Sequence, residues 1–312
     1  MQDRAQNITQ DMIRADTIAE IVQSHLCEIA SSLRPDVLDA LQQARNNESS
    51  ARAAQTLDLL IQNAQLANKN SLPLCQDTGT VWVLIELGSK VQVDLSGLQD
   101  VLDAVVADSF KAEYLRASTV CDAFSDRSNP GTNTPAFVEI VQRPSTDTDS
   151  DFELSISTML KGAGTDNASA LYMLPPSATA DEIARKVLDL VCEKGANACP
   201  PLIIGIGIGG TFDKVAGLSK RALLRPLGRE AQVTSTGVPT TASTQKAAQL
   251  EQDILQLVNA SNIGPAGLGG DTTALAVHVE AAPSHIASLP LAINLCCHSL
   301  RSKSTILRRE AP

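Results

Sequence analysis

Two hydrophobic periods divide the sequence. From residue 8 to 68 the spacing is helical: Ile8, Met12, Ile13, Ile18, Ile21, Val22, Leu26 and Ile29 fall largely on one face, Pro35 suits the first turn of a second helix, and an Ala- and Leu-rich third helix runs from about Ala51 to Ala67. His25 and Cys27 fall inside the first of these and read as structural. Beyond residue 70 short apolar runs take over. They predict strands at 80–87, 136–141, 202–204 and 289–295, and period-two alternation predicts two more, through Phe152, Leu154 and Ile156 and through Leu275, Val277 and Val279. The last alternation sets His278 on the face opposite the apolar one, at the surface. Helices return between the strands. Ser96 is placed to cap one running to about Leu115, Thr179 and Glu182 have capping-box spacing for one running to about Lys194, and others are expected over 214–224 and 245–258. The fold class is therefore α+β, in one large domain that is helical over about 1–70 and sheet-containing over about 71–312.

The turns between these elements hold the chemistry. Pro73-Leu74-Cys75-Gln76-Asp77-Thr78-Gly79-Thr80 sets a thiol, an amide and a carboxylate side by side at the mouth of an apolar strand, on backbone restrained by Pro73 and freed at Gly79. Asn, Pro, Gly and Thr crowd residues 126–135, and polar residues 144–151 make an exposed turn. Lys161-Gly162-Ala163-Gly164-Thr165-Asp166-Asn167 is a glycine-rich loop opening a helix, where backbone amides can hold an anion. Gly205, Gly207 and Gly210 satisfy the dinucleotide-binding spacing after a strand. No second strand bearing an acidic residue follows at the required distance; a polar segment runs instead to about Ala242, which weighs against a nicotinamide site. A second glycine-rich turn spans 264–270.

Composition narrows the function. A net charge of −10 without clustered Lys and Arg argues against nucleic acid, while a few local cations still suffice for a small anionic substrate. No apolar run reaches the length of a membrane span, and the amino terminus shows no basic region followed by an apolar one, so the cytoplasm is expected. The seven cysteines are Cys27, Cys75, Cys121, Cys192, Cys199, Cys296 and Cys297. Their odd number, irregular spacing and lack of a Cys-x-x-Cys pair fit neither a disulfide framework nor a zinc ribbon. Three share a setting: Cys75 and Cys199 each precede a strand and Cys296 or Cys297 ends one, whereas Cys27 and Cys192 are embedded in helices. Thiolates on stiff backbone suit a soft metal centre, and an iron–sulfur cluster is the natural occupant of a cysteine-only site. Three ligands rather than four leave one iron open as a Lewis acid.

Read in order, LPLCQDTG (72–79), RSNPGTNTPA (127–136), KGAGTDNAS (161–169), ACPPLIIGIGIGGT (198–211), GPAGLGGDTT (264–273) and HIASLPLAINLCCHSLR (285–301) resemble the alpha subunit of class I fumarases and L-tartrate dehydratases, over nearly the whole chain. The resemblance implies a hydro-lyase whose 4Fe-4S cluster is held by three cysteines, one iron being without a cysteine. Matched motif by motif, the ligands are Cys75, Cys199 and Cys297, with Cys296 the weaker candidate. It further implies that Gln76 and Asp77 contact substrate with Asp77 also moving a proton, that Arg116 binds substrate, that His285 is the active-site histidine, and that Gly162, Gly164 and Asn167 form the substrate loop.

Two motifs depart from the family pattern. Asn129-Pro130-Gly131-Thr132-Asn133-Thr134-Pro135 stands where Asn-Thr-Gly-Asp-Asn-Thr-Pro is usual, and residues 161–167 stand where Lys-Gly-Gly-Gly-Ser-Glu-Asn is usual. Both bear on substrate choice, and neither touches the cysteines. The expected substrate is a small dicarboxylic 2-hydroxy acid, with fumarate and malate first and L-tartrate, converted to oxaloacetate, second. In the family a second domain or separate beta subunit supplies further cations and a catalytic base, so a hetero-oligomer inactive without its beta subunit is expected. A noncatalytic iron–sulfur redox or sensor module is the rival from another class, and a fourth cysteine ligand is what it requires.

Overall fold

The computed structural model describes residues 6–8, 12–89, 91–143, 152–228 and 241–309. In chain order the elements are β1 (Gln6–Ile8), β2 (Ile13–Arg14), α1 (Ala15–Ser31), α2 (Pro35–Asn47), α3 (Ala51–Asn70), β3 (Thr80–Leu87) and β4 (Val93–Asp94). Then come α4 (Leu98–Ala112), β5 (Phe137–Gln142), β6 (Phe152–Lys161), α5 (Ala163–Asn167), β7 (Ala170–Leu174) and α6 (Ala180–Lys194). The series closes with β8 (Leu202–Gly210), α7 (Phe212–Ala222), α8 (Thr241–Asn259), β9 (Ala274–Ser284), β10 (Leu289–Cys296) and β11 (Arg301–Arg309). The fold is α+β. The chain forms two compact units: Met1–Arg34, Leu66–Gly162 and Arg301–Pro312 make the first, and Pro35–Gln65 and Ala163–Leu300 the second.

Unit one is built on a five-stranded mixed sheet in the order β1-β11-β6-β3-β5. Val81, Val83 and Ile85 alternate along β3 and cluster with Ile18, Val22 and Leu26 of α1 and Leu102, Val106 and Phe110 of α4, so two helices cover one face of the sheet. A buried histidine bridges this layer. His25, 1% exposed, spans from α1 to the sheet, its Nδ1 3.0 Å from Thr158 Oγ1 on β6 and its Nε2 2.7 Å from Thr305 Oγ1 on β11. Burial, with a smaller push from Lys303, lowers its pKa from 6.5 to about 4, so the ring is neutral at pH 7.

Unit two carries the sheet β7-β10-β8-β9, and strand β8 explains its layering. Its Leu-Ile-Ile-Gly-Ile-Gly-Ile-Gly-Gly sequence points Ile204 and Ile206 toward Ile183, Val187 and Leu190 of α6 and Ile254 and Val258 of α8. The opposite face carries Gly205 and Gly207 after Ile203. A Cβ on Gly205 would stand 2.1 Å from the Ser219 carbonyl oxygen and one on Gly207 2.3 Å from that of Val215, so α7 packs backbone to backbone on the strand. These glycines serve close helix packing and leave no room for a pyrophosphate, which removes the dinucleotide reading.

Several expectations change against the structure. Ile8 lies in β1, paired parallel with β11, and the first helix begins only at Ala15. The α4 N-cap is Gly97 at φ 69°, while the Ser96 N–H donates to Asp94 Oδ1 at 3.0 Å, so the turn belongs to the aspartate. His278 is not at the surface. It is 3% exposed with Nδ1 3.1 Å from the Ala222 carbonyl oxygen, because α7 covers the face of β9 that alternation had left to solvent. The capping box at Thr179 and Glu182 forms as expected. The polar turn 144–151 and the polar segment from 229 to 240 lie outside the described residues.

Candidate active site

In unit one, residues 71–79 lead into β3, with Cys75 and Asp77 half-buried and Gln76 exposed. Asp77 is fixed from several sides. Its Oδ1 accepts the Gly79 N–H at 3.1 Å, closing a tight side-chain turn, and Gly79 takes φ 78° to allow it. A Cβ on Gly79 would stand 2.5 Å from the Lys161 carbonyl oxygen, and a Cβ on Gly162 would stand 2.9 Å from Asp77 Oδ2. Both glycines therefore make room, one for the main chain of β6 and one for the carboxylate itself. The Asp77 carbonyl accepts Nη2 of Arg301 at 2.7 Å.

The same loop is tied to the segment that carries Arg116. The Thr78 hydroxyl donates to the Arg116 carbonyl. Asn133, fully buried at φ 58°, accepts the Ser118 N–H at 2.7 Å and the Thr119 N–H at 3.1 Å on Oδ1 and donates from Nδ2 to the Gly79 carbonyl at 3.1 Å. The structure thus brings Gln76, Asp77, Arg116 and Gly162 into one neighbourhood, with the Arg116 side chain exposed.

Unit two assembles a second group at one end of its sheet. Cys199 follows a 3-10 turn at Gly195–Ala198, sits at φ 54° and is exposed immediately before β8. Strand β10 runs antiparallel to β8 with Cys296 opposite Ile203, so the loop after β10 returns to the Cys199 end. His298 makes the link, its Nδ1 3.0 Å from the Cys199 carbonyl oxygen. Cys297 is half-buried with its sulfur 3.0 Å from Ser299 Oγ, whereas Cys296 is 3% exposed on the strand. A Cβ on Gly164 would stand 3.7 Å from the Asn197 carbonyl oxygen, which places α5, with Asn167, at this same end. His285 is elsewhere. It occupies the exposed turn after β9, beside the far end of β8, where Gly210 pairs with Ser284. At about 3.3 Å per residue that is roughly 26 Å from the Leu202 end.

Among the described residues no three His, Cys, Asp or Glu side chains converge on a single metal ion. A cubane cluster does not ask for that, since each cysteine binds a different iron. None of the seven cysteines is in a disulfide. The donor set suits such a cluster: Cys199 and Cys297 are accessible thiols on adjacent loops of unit two, and Cys75 is a third on a strand-entry loop of unit one.

Comparison with known proteins fixes the kinship. The profile of the family described as fumarate hydratase (fumerase) matches residues 19–306. The chain belongs to the fumarate hydratase family. Its chemistry is accordingly that of a hydro-lyase. A Methanocaldococcus jannaschii protein provisionally named L(+)-tartrate dehydratase subunit alpha is 36% identical over 299 residues, covering 94% of this chain and 99% of that protein. The L(+)-tartrate dehydratase subunit alpha of Escherichia coli K12 is 29% identical over 293 residues, covering 94% of this chain and 91% of its own length. The protein of the same name from Shigella boydii gives the same figures. Each of these family members is named as one subunit of a larger enzyme.

Three residues beside these groups, Asn133 and Arg301 in unit one and His298 in unit two, do not stand out in the sequence. Asn133 lies inside a motif that stands out only for its departures, and His298 and Arg301 lie inside the last quoted motif with nothing local to mark them. The signal for Arg301 was its place four residues after Cys297 at the head of an unforeseen strand.

Proposed function

We propose that this chain is the alpha subunit of an L-tartrate dehydratase, an iron–sulfur hydro-lyase that removes water from a small dicarboxylic 2-hydroxy acid, yields oxaloacetate from L-tartrate, and works with a beta subunit in the reducing cytoplasm. The observation that carries the reading is the Asp77 carboxylate, held at Oδ1 by Gly79 and given space at Oδ2 by Gly162, in a chain whose named relatives are tartrate dehydratase alpha subunits. Those names favour tartrate over the fumarate and malate pair that stood first on sequence grounds.

A 4Fe-4S cluster held by Cys75, Cys199 and Cys297 would supply an iron able to polarise the hydroxyl that leaves. The protein's own part is proton transfer and orientation. Asp77 accepts the proton from the carbon next to the departing hydroxyl through Oδ2, the oxygen not engaged by Gly79, and hands it to water. Gln76 and Arg116 offer an exposed amide and an exposed guanidinium to the substrate's hydroxyl and carboxylate, and the arginine fork suits a carboxylate's two oxygens. Gly162, Gly164 and Asn167 supply the loop against which the substrate lies. His285, the active-site histidine that the resemblance implies, stands on the exposed turn after β9, and the proposed proton path runs through Asp77.

The test is anaerobic purification together with the beta subunit, analysis of iron and sulfide, and turnover of L-tartrate, malate and fumarate. We expect about four irons per alpha chain and kcat/KM for L-tartrate at least about tenfold above that for malate. Turnover of malate and fumarate without tartrate would transfer the assignment to fumarate hydration, the reading that the family's own description favours. Absence of iron after anaerobic reconstitution would sink both, and a cluster bound by four cysteines would favour the noncatalytic rival.

A further inference from the structure

Arg301 opens β11 in unit one, in register with Leu160 of β6, and is 2% exposed. A guanidinium carries five N–H donors and a permanent charge, and burying it without partners is costly enough that such groups are normally paired. Arg301 is not. Its Nη2 donates to the Asp77 carbonyl at 2.7 Å, while Nε and Nη1 are buried and have no hydrogen-bond partner among the described residues. A buried arginine kept for stability would be expected to hold a carboxylate. This one holds a single main-chain carbonyl, that of the residue assigned to proton transfer.

The mechanical consequence follows from the bonds around it. The Asp77 carbonyl belongs to the peptide plane joining Asp77 to Thr78. The next carbonyl but one, that of Gly79, is fixed by Asn133, and the Asp77 carboxylate itself is tied to the Gly79 N–H. With Arg301 in place, the first peptide plane of this short turn and the turn's far end are both anchored. Without it, the Asp77 peptide can rotate, and the carboxylate direction rotates with it.

We infer that Arg301 is a positioning residue for Asp77, aiming its carboxylate by anchoring its carbonyl. The inference rests on the reading that Asp77 moves the proton. It predicts an effect on turnover with little effect on substrate affinity, because a misdirected base costs rate where a lost contact costs binding.

The experiment uses the anaerobically reconstituted full chain with its beta subunit, measuring kcat, KM for L-tartrate, iron content and thermal midpoint for Arg301→Met, Arg301→Gln, Arg301→Lys and Asp77→Asn. Arg301→Met should lower kcat about 100-fold with KM within about twofold and iron content unchanged. Arg301→Lys, which keeps a charged donor for the carbonyl, should recover most of that loss and exceed Arg301→Gln. If the Met variant does not fold, the Lys and Gln variants carry the test through the same order at constant KM. A kcat within twofold of wild type for Arg301→Met and Arg301→Gln, or a rise in KM at unchanged kcat, overturns the inference. Asp77→Asn separates the two levels. If it abolishes turnover while Arg301→Met leaves kcat intact, the positioning role alone fails; if it leaves turnover intact, the assignment of Asp77 fails and this inference with it.

Discussion

Two sets of glycines, one in each unit, look alike in sequence and do opposite things. In β8, Gly205 and Gly207 are empty so that α7 can lie on the strand, and the nearest atom a side chain would strike is in each case a main-chain oxygen of that helix. Beside Asp77, Gly162 is empty so that a carboxylate oxygen can stand there. The first emptiness is filled by the fold and the second by a carboxylate, that of the proposed proton-transfer residue. A Gly-x-Gly pattern cannot separate these uses, because it records where a side chain is missing and not what has taken its place.

The difference can be tested from its strongest consequence downward. Gly205→Ala forces a Cβ to within 2.1 Å of a backbone oxygen that cannot swing away. It should cost at least about 3 kcal/mol of stability, read as an earlier urea midpoint. Acid probes the other unit by about as much. The His25 pKa in the fold lies near 4, below its ordinary 6.5, so its contribution is present above pH 6.5 and is lost as pH falls toward 4. The full loss is about 3 kcal/mol, visible as falling amide protection in β6 and β11 of unit one, and His25→Gln should flatten that pH dependence. Gly162→Ala meets the end of a side chain, which can yield. The protein should fold with its thermal midpoint little changed while kcat drops about 10- to 100-fold, because Asp77 is displaced. Gly164→Ala gives the smallest effect. Its Cβ would lie 3.7 Å from the nearest atom, an ordinary contact, so stability should move by no more than about 0.5 kcal/mol. A Gly162→Ala enzyme as active as wild type would erase the distinction.

Local chemistry was legible where the signal was local. The capping box at Thr179, the helix opening at Pro35 and the strand from Thr80 carry their instructions within a few residues. Reading failed where a distant element decides. His278 alternates as a surface residue, and only the arrival of α7 buries it. Strand β11, with four Lys and Arg among the residues of RSKSTILRR, carries no apolar run, and its identity depends on pairing with β6 and β1. The site shows the same division. The Cys-Gln-Asp motif stood out because its chemistry is contiguous, and Cys199 and the Cys296–Cys297 pair because each sits at a strand end; the choice of Cys297 came from the family resemblance. Arg301 and Asn133 were hidden because their function lies in bonds to main-chain carbonyls, which every residue possesses.

The place of β11 in its sheet bears on how the protein comes into being. It follows every other element in the chain, yet it lies between β1 and β6, so the sheet of unit one stays open until the ribosome has delivered Arg301–Arg309. All segments of unit two have by then emerged. The residue that anchors Asp77 is the first of that strand, so the loop bearing the proposed proton-transfer group is secured only once Arg301–Arg309 has been made.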